Sequence, residues 1–253
     1  MKNNRYNICL GWRRSGTSML MLALKEAGVP IVGFKYPSLT KYQNEETRKT
    51  IAVDGGMMVT SEKIYDSNPN GYWELASIVK NGLQKKHENI GRDGNLVKVM
   101  MDCFAISDFS LIDKVVIILR NPKKVIASYL KSKDLEQTEE NIKSVSLAML
   151  YTASSAMKKI EENKKETIIV YYEQLLKDPK TNLLAVCRFL DRKYHKSGED
   201  VIEGRLDRIT PISSKGKELK ELMSFYGNPF QEIDIQELYL RIGETDKTII
   251  KNK

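Results

Sequence analysis

The chain has 253 residues, 41% of them hydrophobic and 29% charged, and its 41 Lys and Arg against 33 Asp and Glu leave a formal charge of +8. That composition excludes a disordered chain, a collagen-like repeat and a small disulfide-stapled scaffold. The longest uninterrupted apolar run, Met19 to Leu24, falls far short of the roughly 20 residues that cross a membrane, so no membrane segment is expected.

In chain order, short β-type runs alternate with helical patterns. Strands are predicted at 6–10, 30–33, 96–101, 114–119 and 167–171, and their near-continuous apolar character suits strands covered on both faces. Helices are predicted at 17–27, 74–89, 122–131, 139–163, 182–190 and 215–225. Ala27-Gly28 ends the first helix, and Asn121-Pro122 opens another with Pro at its first position. This alternation predicts an α/β fold, a three-layer doubly wound parallel sheet. Residues 35–72 are polar, with Gly55-Gly56 and Asn68-Pro69-Asn70-Gly71, and read as an irregular insertion of the lid or binding-loop type. With no repeat or Pro/Gly-rich linker, residues 1–253 form one expected domain.

Cys9, Cys103 and Cys187 lie far apart and are odd in number, which suits a reducing, cytoplasmic location and offers no metal-ligand spacing. The only histidines, His87 and His195, sit in polar surroundings and read as surface residues. Much of the positive excess falls in pairs such as Lys85-Lys86, Lys158-Lys159 and Lys164-Lys165, which read as solvated helix faces rather than a nucleic-acid footprint. No nucleic-acid partner is expected.

The sharpest local signal is Gly11-Trp12-Arg13-Arg14-Ser15-Gly16-Thr17-Ser18, between the first strand and the first helix. Its frame is that of a P-loop, in which terminal glycines let backbone amides and a helix N-terminus face an anion. Thr17 stands where a nucleoside triphosphatase carries its lysine, so the available cation is Arg14, from within the loop. The bland alternative is a glycine-containing turn that binds nothing.

Arg14-Ser15-Gly16-Thr17-Ser18 resembles the 5′-phosphosulfate loop of sulfotransferases, which use 3′-phosphoadenosine 5′-phosphosulfate (PAPS). Val115 to Tyr129, a buried strand ending in Arg120 and then Asn121-Pro122 with Ser128 beyond, is similar to the 3′-phosphate segment of the same family. Ile168 to Pro179, with Tyr172-Glu173, is similar to the strand and turn that follow in order. The resemblance implies a P-loop-NTPase-like fold and a metal-independent transfer of a sulfonate to a hydroxyl or amine of a small-molecule or carbohydrate acceptor, releasing adenosine 3′,5′-bisphosphate. Physics agrees: an Arg at a strand's C-terminal end points into the crevice where open α/β sheets bind ligands, and grips phosphate bidentately. Arg120 pairing with a carboxylate and Ser128 facing solvent remain the alternatives.

The implied donor-binding residues are Arg13, Arg14, Ser15, Gly16, Thr17, Ser18, Arg120 and Ser128. Arg208 joins them from a basic C-terminal stretch that lacks the Arg-Lys-Gly form of the cytosolic branch. Arg14 is expected to stabilise the leaving 5′-phosphate. Gly71-Tyr72-Trp73-Glu74 resembles a stretch of the bacterial and carbohydrate-type branch whose glutamate acts as base, against the plainer role of favouring a helix start. Lys98 is a further candidate on the sulfonate. Where the cytosolic branch has Lys-Thr-His, this chain has Lys98-Val99-Met100, which removes a histidine base there. Trp12, Tyr72 and Trp73 are equally suited to stacking on a ligand or to the core. Two rivals stand beside this reading: a small-molecule kinase with Asp102 as a magnesium-binding acid, and a catalytically silent nucleotide binder. The oligomeric state leaves no signature in the sequence.

Overall fold

The structure is a computed structural model, and it describes residues 5–32, 51–53, 56–58, 78, 82–85, 95–202, 209–231, 233–234 and 236–242. Its centre is a five-stranded parallel sheet. In chain order the strands are β1 (Tyr6–Gly11), β2 (Ile31–Val32), β5 (Leu96–Met100), β6 (Ile112–Leu119) and β7 (Glu166–Tyr171), and in space they run β2-β5-β1-β6-β7. A separate antiparallel pair, β3 (Ile51–Val53) and β4 (Gly56–Met58), lies within the predicted 35–72 insertion; the rest of that insertion is outside the described residues.

The sheet is apolar on both faces, and beyond the register shift at the start of β6 its residues alternate between two cores. Ile8, Leu10, Val97, Val99, Val115, Ile117 and Leu119 face one cluster, closed by helices α3 (Pro122–Ser132), α4 (Glu139–Glu162) and α7 (Lys217–Gly227). Cys9, Leu96, Val116, Ile118 and Val170 face the other, closed by α1 (Thr17–Glu26) and α6 (Pro179–Phe189). Each fully buried aliphatic side chain on β6 contributes about 1.5–3 kcal/mol. This two-sided burial is why the strands read as continuous apolar runs. The result is the expected three-layer α/β fold.

The helix boundaries follow their capping chemistry. Gly28, at φ 98, closes α1 in a Schellman motif: its amide donates to the Lys25 carbonyl at 3.0 Å, and that of Val29 to Leu24 at 2.9 Å. The side chains of Asn121, Thr138 and Asp178 accept from backbone amides at the starts of α3, α4 and α6. The Asp178 cap, with Pro179 behind it, starts α6 three residues before the expected Asn182. Two short helices escape the sequence pattern, α2 (Met101–Phe104) directly after β5 and α5 (Tyr172–Lys177) directly after β7.

The helix expected over 74–89 does not run through its second half. Gly82 closes a turn on the Ile78 carbonyl at 2.8 Å and takes φ 68, and a Cβ there would lie 2.6 Å from the Cys103 carbonyl oxygen. Leu83 then ties to the 103–108 turn: its amide donates to Ser107 Oγ at 3.0 Å, and its carbonyl accepts from the Asp108 amide at 2.7 Å. Among the described residues no helix is long and apolar enough to cross a membrane.

Candidate active site

The chain leaves β1 toward β2 and β5 on one side and reaches β6 and β7 on the other, so the strand order reverses at β1. In open α/β sheets ligands bind at the carboxyl ends of strands beside such a reversal. The Gly11–Ser18 loop lies there, between β1 and α1.

Two of its residues adopt left-handed backbone: Arg14 at φ 72 and Gly16 at φ 96. Alternation of this kind turns successive amides to one side. A Cβ at Gly16 would lie 2.5 Å from the Tyr172 ring, and one at Gly11 would lie 2.6 Å from Ser15 Oγ and Thr17 Cγ2. Ser15 uses both its donors on the Trp12 carbonyl, the hydroxyl at 2.6 Å and the amide at 3.1 Å, so it shapes the turn. Unlike α3, α4 and α6, α1 starts with no side-chain cap, and its first turn holds no acidic residue. Its amide end is thereby available to an external anion.

The side chains around the loop converge from four elements. Arg14 Nε donates to Ser128 Oγ of α3 at 3.1 Å. Arg120, 6% exposed at the end of β6, donates from Nη1 to the Arg14 carbonyl at 3.2 Å and lies 4.3 Å above the Tyr172 ring. Lys98 shares the β5 face of Leu96, in register with Cys9, and its Nζ donates to Ser18 Oγ at 2.9 Å. Arg13 turns the other way and pairs with Asp102 of α2, Nε at 3.1 Å and Nη2 at 2.9 Å from the same Oδ2. Thr17 is buried at the loop's end.

The sequence-predicted residues Arg13, Arg14, Ser15, Gly16, Thr17, Ser18, Lys98, Arg120 and Ser128 therefore meet in one neighbourhood. Glu74 and Arg208 lie outside the described residues, as do Tyr72, Trp73 and His87. Trp12 is a core residue: its ring packs 4.9 Å from Tyr129 and its indole N–H donates to Thr152 Oγ1 at 3.2 Å. Asp102 is an ion-pair partner of Arg13. Tyr172 and Glu173 carry more of the site than their sequence signal suggested, the first beneath Arg120 and Gly16, the second accepting the Asn121 amide at 3.0 Å. Burial pushes the Cys9 thiol up to about 12, with Lys98 opposing, and burial with Asp102 nearby pushes Cys103 to about 11, so both stay protonated. Among the described residues no group of three or more His, Cys, Asp or Glu side chains could hold a metal ion.

A glycine-bounded turn at the end of β1, an uncapped helix start and buried cations from β5 and β6 define a P-loop-like α/β protein. The particular family follows from residues 99–237, more than half of the chain, which match the sulfotransferase domain; the chain belongs to that family. Its members are enzymes that move a sulfonate group. No curated protein sequence matches the chain. Among solved structures, the chain is similar to the sulfotransferase domain of the Synechococcus PCC 7002 olefin synthase (15% identity, 98% of this chain and 96% of that one, TM-score 0.43). It is also similar to mouse sulfotransferase SULT7A1 complexed with PAP (12%, 99% and 86%, TM-score 0.45). A third is retinol dehydratase in complex with androsterone and inactive cofactor PAP (14%, 100% and 82%, TM-score 0.42).

Proposed function

We propose that the protein transfers the sulfonate of PAPS to a hydroxyl or amine of a small-molecule or carbohydrate acceptor and releases adenosine 3′,5′-bisphosphate. The observation that carries this reading is the gathering of Arg14, Arg120, Ser128 and Lys98 around one glycine-bounded turn, in a chain of the sulfotransferase family. The donor set suits a nucleotide with an anionic group at each end of its ribose: amides, hydroxyls, guanidinium groups and one ammonium. Bound there, PAPS supplies the activated sulfonate.

In this reading the backbone of Gly11–Ser18, with the hydroxyls of Thr17 and Ser18, holds the 5′ end, while Ser15 keeps the turn's shape. Arg13 adds positive charge at the loop's open edge. Arg120 and Ser128, joined by Arg208, hold the 3′-phosphate. Arg14 already touches Ser128 and follows the charge that develops on the departing 5′-phosphate. Lys98, reaching the start of α1, steadies the sulfonate oxygens. Glu74 takes the acceptor's proton as general base. The resident cations and amides neutralise the developing charge, and the buried floor of the loop excludes water.

The test is calorimetric binding of adenosine 3′,5′-bisphosphate in EDTA beside ATP with magnesium, then transfer of labelled sulfonate from PAPS to pools of phenols, amines and sugars. Metal-free bisphosphate binding with weak ATP binding is expected. Preference for magnesium-ATP overturns the reading.

A further inference from the structure

The loop carries two adjacent arginines that point to opposite walls. Arg14 turns toward α3 and meets a neutral hydroxyl, Ser128. Arg13 turns toward α2 and meets a carboxylate, with two N–H groups on a single oxygen of Asp102. Asp102 follows β5 by two residues, so one short segment grips the loop twice, through Lys98 on Ser18 and through Asp102 on Arg13. The two grips differ in consequence. Lys98 brings a cation to the loop, whereas Asp102 binds one of the loop's own cations with a negative charge.

We propose that Asp102 is a positioning residue for the donor: it parks Arg13 against the α2 wall and competes with the anionic nucleotide for that guanidinium. The inference rests on the donor site proposed above. An anion seated on the loop attracts both arginines inward, but Arg13 must loosen or share its carboxylate to respond. The pair is solvent-accessible, with side chains 45% and 37% exposed, so the exchange is inexpensive and rapid. Its effect is to lower donor and product affinity together. For an enzyme that must release the bisphosphate after each turnover, this speeds product departure.

The experiment is a double-mutant cycle read by calorimetry with adenosine 3′,5′-bisphosphate in EDTA. Asp102→Asn should bind the nucleotide roughly two- to fivefold more tightly, the range set by an exposed ion pair, and Asp102→Ser should move in the same direction. Arg13→Gln should bind more weakly than the parent, and adding Asp102→Asn to it should then produce no tightening. Asp102→Glu should return the affinity to that of the parent, and raising the salt should narrow the Asp102→Asn difference. Unchanged or weakened binding by Asp102→Asn overturns the proposal. So does equal tightening with and without Arg13, which assigns the effect to charge acting through space. A turnover loss of a hundredfold or more at unchanged affinity also overturns it, because Asp102 then acts in proton transfer. If the parent protein binds no bisphosphate, the donor site itself fails, and this inference with it.

Discussion

Replacing Gly16 by alanine probes how tightly the phosphate-binding turn is determined. Gly16 sits at φ 96, where an L side chain costs about 1–2 kcal/mol. The new Cβ would also lie 2.5 and 2.6 Å from two carbons of the Tyr172 ring. That ring is 2% exposed and supports the Arg120 guanidinium at 4.3 Å, so it has no open side to retreat into without moving the arginine. Overpacking of this kind costs about 1–3 kcal/mol, and the stiffer unfolded chain returns about 0.4–1 kcal/mol. The net loss is about 1–4.5 kcal/mol, which for a chain of this size lowers Tm by about 2–18 °C. Bisphosphate affinity should fall at least about tenfold as Arg120 is displaced, in line with the loss of one hydrogen bond to a charged group. Scanning calorimetry with and without bisphosphate reads both quantities. Gly227→Ala is the control: its added Cβ meets nothing within 4 Å, and it should not lower Tm. A Gly16→Ala protein that melts within about 2 °C of the parent and binds the nucleotide unchanged refutes the reasoning.

Arg120→Ala should weaken bisphosphate binding by about 2–5 kcal/mol, the cost of truncating one partner of a buried charged pair; calorimetry showing unchanged affinity removes it from the phosphate site. Glu74→Gln should keep nucleotide affinity while turnover with labelled PAPS drops at least about a hundredfold, and near-normal turnover places the base elsewhere. Asp178→Ala should lower stability at neutral pH by removing the cap on the Thr181 amide. The hydrogen bonds from Thr181 hold the Asp178 carboxyl below its ordinary value, so its contribution is complete above the unfolded carboxyl's pKa and fades as pH falls through the folded one. Parent and variant melting curves should therefore converge in acid, and a gap that persists there argues against the cap.

The sheet was legible in the sequence because its strands are buried on both faces: a run such as Val115–Leu119 has no polar alternation to obscure it. Helix ends were legible wherever a residue has one strong local meaning, as with Gly28 and Pro122. The second half of the 74–89 expectation failed because Gly82 is tolerable in a helical pattern until the close approach of the Cys103 carbonyl is known. For α5, only six residues long, no polar break separates it from β7, so periodicity carries no warning. The cations of the site were readable from one loop and two strands, Lys98 on β5 and Arg120 at the end of β6, since each of those chemistries is local. The Arg13–Asp102 pair was not, because it joins residues from different strand ends and leaves no trace in spacing. Tyr172 appeared only as part of a motif; its support of Arg120 and its closeness to Gly16 exist only in three dimensions.

The order of the strands has a consequence for how the protein is made. β1 leaves the ribosome well before the strands it pairs with: Asn7 pairs with Leu96 and Tyr6 with Ile112. At the usual pace of about 5–20 residues per second, the strand waits on the order of 5–20 s for its partners to be synthesised. During that interval the apolar segments of β1 and α1 are exposed together, with no sheet to receive them. The phosphate loop is thus translated well before Lys98, Arg120 and Ser128, the residues that brace it. The nascent chain is most vulnerable to aggregation and chaperone capture before β5 and β6 emerge.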